Sequence, residues 1–120
     1  MAEPNILAGL DNIADTQHKI DWQYFREGIE IYPLSFHDSN TPASALLRYQ
    51  PGAEVPSHKH PGYEHILILS GSQQDEKGSY KKGTLLISPP GSQHSVKSKQ
   101  GCIVLAIWEK AVQFNLGASD

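Results

Sequence analysis

The sequence predicts an all-β domain, a sandwich or barrel of many short strands, and three observations carry that expectation. Short apolar runs recur at close spacing from Trp22 onward, separated by Gly and Pro turns. No stretch alternates strand and helix as a parallel βαβ sheet requires, and there is no solenoid repeat or low-complexity tract. At 120 residues, 38% hydrophobic and 19% charged, the chain suits a single globular domain.

Residues 1–21 form an N-terminal segment of mixed polarity. Ile6, Leu7, Leu10, Ile13 and Ala14 fall on one face at helical spacing, so a short helix is expected within 5–20. Pro4-Asn5 and Asp15-Thr16 mark its boundaries. The barrel is expected over 22–114. Ile29 and Ile31 alternate with Glu30 and Tyr32 in a strand at 28–34, whose end Pro33 places on a sheet edge. Composition makes 37–42 a loop, and 45–50 a strand ending in the Pro51-Gly52 turn. Strands at 55–60 and 64–73 follow, joined through Pro61-Gly62. A tight turn is expected at 75–78, with Gly78 available for a positive φ. Strand segments at 80–82 and 84–88 flank Gly83, and Pro89-Pro90-Gly91 is a rigid break. The last strands are expected at 93–98 and 102–108, and residues 115–120 form a small, polar tail.

Composition removes several classes of function. The formal net charge is -3 and no basic tract exceeds two residues, so no nucleic-acid partner is expected. The longest strongly apolar run, 103–107, is far too short to span a bilayer, and no membrane association is expected. The first residues lack the basic start and apolar run of a signal peptide. Cys102 is the single cysteine, which excludes an intrachain disulfide and suits a reducing compartment. A cytoplasmic protein is expected.

The richest stretch is 52–71. His58 and His60 are two apart, so on a strand both project to one side while Lys59 points away. Pro61-Gly62 reverses the chain, and Glu64 can face back toward the two rings. Two imidazoles and one carboxylate converging from a hairpin are most of a divalent metal site. Downstream, Gly83, Pro89, Gly91 and His94 follow the spacing Gly, five residues, Pro, one residue, Gly, two residues, His.

Together the two stretches resemble the paired motifs of the cupin superfamily. Gly52, His58, His60, Glu64 and Gly71 fill every place of the first motif, and Gly83, Pro89, Gly91 and His94 fill the second. Ser98 stands where the second motif ends in Asn. The His-x-His-Pro-Gly-Tyr-Glu run, the hairpin around Asp75, Glu76, Gly78 and Tyr80, Pro-Pro-Gly-Ser-Gln-His, and Gly101-Cys102 are similar to a narrower group, the ChrR-like cupin domains. These are the metal-binding domain of a zinc-dependent anti-sigma factor. The resemblance implies a small jelly-roll barrel holding one divalent transition metal through His58, His60, Glu64 and His94. Zinc is the metal expected, and Fe, Mn or Ni would suit the same donors. The sigma-binding role is not carried over, because it belongs to a separate N-terminal helical zinc domain that does not fit before Trp22. Cupins usually pair through a sheet face, so a homodimer is expected, with Ile29, Ile31, Leu67 and Leu69 as the apolar rows.

The expected function is a single-domain metal-binding cupin with a ligand-binding or sensing and regulatory role, taking a small-molecule ligand in the barrel. The alternative is a non-haem Fe(II) or Mn(II) dioxygenase acting on a small diketone or carboxylated substrate. Four protein ligands close a tetrahedral zinc site, whereas an octahedral ion keeps two positions open. No catalytic residue is assigned. His65 should point away from the site, and His18 and His37 should be exposed. Cys102 should be buried, and Tyr49, Tyr63, Tyr80 and Trp108 should pack in the core and rim. Arg48 could anchor an acidic ligand, but exposure on a sheet edge is the stronger expectation.

Overall fold

The structure, a computed structural model, describes residues 2–111 and the backbone of 113–114; the tail expected at 115–120 lies outside the described residues. Three short helical turns come first, Leu10–Asn12, Ile13–Thr16 and Gln17–Lys19. Gly9 adopts a left-handed backbone with φ 74°, so the helix anticipated within 5–20 begins only after it. Leu7, Leu10 and Ile13 pack inward, whereas Ile6 and Ala14 stay exposed.

Ten strands follow among the described residues. They are β1 (Gln23–Arg26), β2 (Ile29–Asp38), β3 (Thr41–Tyr49), β4 (Ala53–Lys59), β5 (Glu64–Asp75), β6 (Gly78–Lys81), β7 (Leu85–Ser88), β8 (Gln93–Ser98), β9 (Cys102–Trp108) and β10 (Gln113–Phe114). They form one curled sheet in two halves, β1-β2-β3-β9-β5-β7 and β10-β4-β8-β5-β6. β5 belongs to both. Its first part pairs with β7 and β9, and its last residues pair with β6 and β8. The register slips between Ile68 and Ser70, where an irregularity lets the strand change halves.

Two expectations of local structure change. Residues 37–42 are strand ends around a two-residue turn, because the Asp38 carboxylate accepts hydrogen bonds from the Asn40 N–H and the Thr41 hydroxyl. Gly78 needs no positive φ, since the Asp75 carboxylate accepts the Lys77 and Gly78 N–H groups and closes that turn. Pro33 does lie beyond the reach of β1, on the free edge of β2, where a missing N–H costs nothing.

The main core fills the curl with Ile29, Ile31, Leu47, Val55, Ile66, Ile68, Val96 and Val104. A second cluster lies on the outer face, where Ile13 and its neighbours cover Leu46, Leu69 and Ile103. β3 and β9 are therefore buried on both faces, which explains their unbroken apolar runs. The rows expected to pair copies of the chain are thus occupied: Ile29 and Ile31 face inward and Leu69 lies under the N-terminal segment.

Gly71 sits where β5 changes halves, with φ 76°, and a Cβ there would collide with the Gly101 carbonyl oxygen. Gly71→Ala should lower stability by about 2 kcal/mol or more, read from a denaturant titration.

Candidate metal centre

Val55 and His58 both face inward, although strict alternation would set them on opposite faces. The β4–β8 register explains this, pairing Val55 with Val96 and His58 with His94, so a bulge lies between them. Pro56 sits in that bulge, where it withdraws no N–H from a ladder. The shift in phase turns His58 and His60 into the curl and Lys59 outward. His60 follows the end of β4, and its backbone is bonded on both sides to the Pro89–Ser92 turn, through Ser92 O at 3.0 Å and Gly91 N at 2.8 Å.

Glu64 arrives differently from the expectation of a hairpin. β4 and β5 do not pair; Pro61-Gly62 carries the chain from one half of the sheet to the other. Glu64 opens β5 opposite Ser88 and Trp108, facing the histidines across the curl rather than beside them. All four expected residues meet. One donor atom from each of His58, His60, Glu64 and His94 lies within 4.8 Å of the others, and this cluster could hold a metal ion.

The outer ring nitrogens are oriented by the protein. His58 Nδ1 lies 3.0 Å from the Pro56 carbonyl oxygen, which only accepts, so Nδ1 carries the proton and Nε2 keeps its lone pair. Ser92 donates its hydroxyl hydrogen to Pro89 O, so at 2.9 Å it accepts from His60 Nδ1–H. Nε2 of His60 therefore also presents a lone pair. It is buried, makes no hydrogen bond, and lies 3.0 Å from Glu64 Oε1. An imidazole lone pair against a carboxylate oxygen is repulsive until a cation or proton lies between them.

His94 Nε2 lies 3.0 Å from His58 Nε2 and 3.7 Å from Glu64 Oε1. An ion with bonds of about 2.1 Å holds its ligand atoms roughly 3 to 4 Å apart, the spacing of these pairs, and the widest separation in the set, up to 4.8 Å, would have to draw in around a first-row divalent ion. Glu64 Oε2 accepts the Trp108 indole N–H at 2.8 Å, which leaves Oε1 for the centre. Asp75 Oδ2 stands 3.7 Å behind His94 Nδ1, while its Oδ1 takes the Tyr80 hydroxyl. Outer partners of this kind hold ligand rings in place.

Burial lowers the pKa of His58 and of His94, and both rings favour the neutral form a metal needs. Burial opposes the charge on Glu64, but a proton on the neighbouring His60 ring, the Trp108 N–H and the charge of a protonated His58 would outweigh it and hold the carboxyl below its usual range, so that lowering requires a proton or a cation between His60 Nε2 and Oε1.

Other residues fall mostly where the sequence places them. His65 points outward and stacks on Tyr63, with ring centroids 6.1 Å apart. His18 and His37 are exposed, and His37 Nε2 donates to Trp108 O. Cys102 is buried, and burial pushes its thiol up to about 11. Arg48 lies outside the curl but not exposed on a sheet edge as expected: β3 runs between β2 and β9, and the half-buried guanidinium is paired with Glu30 at 2.8 Å and stacked over Trp22. Trp108, Ser92 and Asp75 are the residues sequence reasoning missed as partners of the cluster. Ser92 and Asp75 lie in the quoted motifs, but nothing local marks Trp108 as the mate of Glu64.

A family model described as the ChrR cupin-like domain matches residues 11–111. The chain belongs to this family. The anti-sigma-E factor ChrR of Cereibacter sphaeroides is 34% identical over 76 residues, covering 61% of this ChrR-like cupin and 36% of that protein. The chain thus spans about a third of that relative's length. ChrR in the Rhodobacter sphaeroides complex with SigE is similar at a TM-score of 0.64 and 26% identity, covering 75% of this chain and 49% of that one. An acetylacetone dioxygenase from Acinetobacter johnsonii aligns at a TM-score of 0.72 over 95% of this chain and 78% of its own, at 16% identity, and shares the fold.

The lowered pKa values give a pH dependence with a definite sign. An unfolded histidine titrates near 6.5, above the folded His58 and His94, so between those values the unfolded chain binds more protons. Metal-free protein should be stable above pH 6.5 and lose stability as the pH falls through that value toward the folded pKa values. Glu64, also depressed, adds to the loss at lower pH. Melting temperatures that stay constant from neutral pH down to acid would contradict this.

Proposed function

We propose that His58, His60, Glu64 and His94 bind one divalent transition metal ion, zinc foremost, in a ChrR-like cupin with a ligand-binding and regulatory role. The observation that carries the reading is the buried His60 lone pair held 3.0 Å from a carboxylate oxygen, a contact a cation would turn from repulsive to favourable. The regulatory part rests on kinship with an anti-sigma-E factor. We place the protein in the cytoplasm, where a lone buried thiol stays reduced; among the described residues no helix is long and apolar enough to cross a membrane.

A second reading has its own support. A cavity reaches His58, Glu64 and His94, so a small molecule could approach an ion held there. With Fe(II) or Mn(II) in place of zinc, the ion would supply redox chemistry for a dioxygenase acting on a small diketone or carboxylated substrate. Pairing of two copies is also part of the proposal, through the exposed Leu85, Ile87 and Ile107, since Ile87 and Ile107 flank His65 in one row across three strands.

Elemental analysis of protein purified without added metal should find about one transition-metal ion per chain. His60→Ala should lose the ion and more than about 2 kcal/mol of stability, because ligand binding is then part of folding. Identical melting with and without chelator would argue against any metal. Oxygen uptake by the Fe(II)-reconstituted protein across small diketones and acids checks the second reading, which no uptake above buffer would set aside. Light scattering should report a dimer; a monomer removes the pairing.

A further inference from the structure

His60 and Glu64 stand at the two ends of one short crossover, and that crossover has no place in the sheet. Residues 60–63 belong to no strand, between the end of β4 at Lys59 and the start of β5 at Glu64. The His60 end is fixed by its backbone bonds to Ser92 and Gly91. The Glu64 end meets a second crossing. β9 lies in one half of the sheet and β10 pairs with β4 in the other, so the chain after Trp108 recrosses the gap in the opposite direction. Glu109 opens that return and is joined to Tyr63 twice. Its N–H donates to Tyr63 O at 2.9 Å, and its Oε1 accepts the Tyr63 N–H at 2.9 Å.

Gly62 shows how closely the two crossings lie. A Cβ there would come 2.9 Å from Glu109 Oε1 and 3.1 Å from both Glu109 Cβ and Lys110 Cγ. Its φ is not positive, so close approach rather than backbone conformation excludes a side chain. The contact opposes a specific force. His60 Nε2 faces Glu64 Oε1 at 3.0 Å, and the two repel until a cation or proton lies between them. The crossover is where that repulsion would relax, by letting Tyr63 and Glu64 withdraw from His60. Glu109 resists the withdrawal at Tyr63, while its chain neighbour Trp108 holds Glu64 Oε2 at 2.8 Å.

We propose that Glu109 is a positioning residue of the metal centre: exposed and not itself a ligand, it latches Tyr63 so that His60 and Glu64 keep the spacing an ion bridges. This rests on the metal reading and adds to it a residue that lies outside both motifs. The carboxylate acts as a hydrogen-bond acceptor rather than as a charge, so an amide oxygen in its place serves as well. Outer partners that hold ligands in place act through the geometry they impose on the ion.

The test measures zinc affinity by competition with a chromophoric chelator, and the visible spectrum of the Co(II)-loaded chain, in wild type, Glu109→Ala and Glu109→Gln. Glu109→Ala should weaken zinc about tenfold and alter the Co(II) bands, because the ligand spacing changes. Glu109→Gln should hold zinc within about twofold of wild type, with the wild-type spectrum. Gly62→Ala should weaken zinc from the other side of the contact, and by less when Glu109→Ala is already present. Where Glu109→Ala does not fold, Gly62→Ala decides by the same two readings. A Glu109→Ala chain that melts lower yet binds zinc as tightly, with unaltered Co(II) bands, would reduce the residue to a structural role and overturn the proposal. Equal losses in Glu109→Gln and Glu109→Ala would assign the effect to charge and overturn it as well. A wild-type chain that binds neither ion refutes the metal reading and this one with it, whereas tight binding in wild type and variants alike removes only the latch.

Discussion

Glu64 stands on one half of the sheet and the three imidazoles on the other, so the centre exists only while β5 holds the halves together. The strand changes partners over 68–72, and backbone contacts there are joined by one side-chain hydroxyl. Gly71 lies against Gly101, the Ser72 N–H reaches Gly101 O, and the Ser98 hydroxyl donates to Ser72 O. Ser98, which departs from the family's asparagine, thus ties the end of β8 to the strand that carries Glu64. A slip of one residue in β5 would turn Glu64 outward, because side chains alternate faces. Donor atoms about 3 Å apart depend on that register.

The immediate surroundings then decide what the four side chains present. Each inner nitrogen or oxygen faces the centre because its outer counterpart is engaged: Pro56 O for His58, Ser92 for His60, Trp108 for Glu64. Asp75 stands behind His94 and is fixed by its own turn and by Tyr80. The protein therefore spends little freedom in orienting ligands when an ion arrives, and it carries a repulsive contact when none is present. Affinity for a cation and the acid sensitivity of the metal-free fold have the same origin, neutral rings held in a poorly solvated space.

Charge is sorted between the two faces of the same sheet. Arg48 and its neighbour Leu47 alternate on β3, so the guanidinium meets Glu30, Gln17 and Trp22 outside while Leu47 lines the cavity. The N-terminal segment shields that outer face, with the Trp22 indole donating to Gln17 O and Ile13 buried over Leu46. One consequence is a cavity with apolar walls that, among the described residues, no lysine or arginine lines.

Much of this was readable along the chain. The common side of His58 and His60, the opposite aim of His65, the turns at Pro51-Gly52 and Asp75, and the strands at Gln93–Ser98 and Cys102–Trp108 follow from alternation and turn chemistry. These are properties of a few neighbouring residues, so the sequence determined them by itself. Tertiary structure alone decided that β4 and β5 separate into different halves, and that a bulge at Pro56 brings Val55 and His58 to one face. It also decided that Trp108 anchors Glu64 and that the N-terminal segment covers the outer rows of β3 and β9. Those outcomes join residues far apart in the chain, and their energies appear only when the strands pair, beyond the reach of any local period.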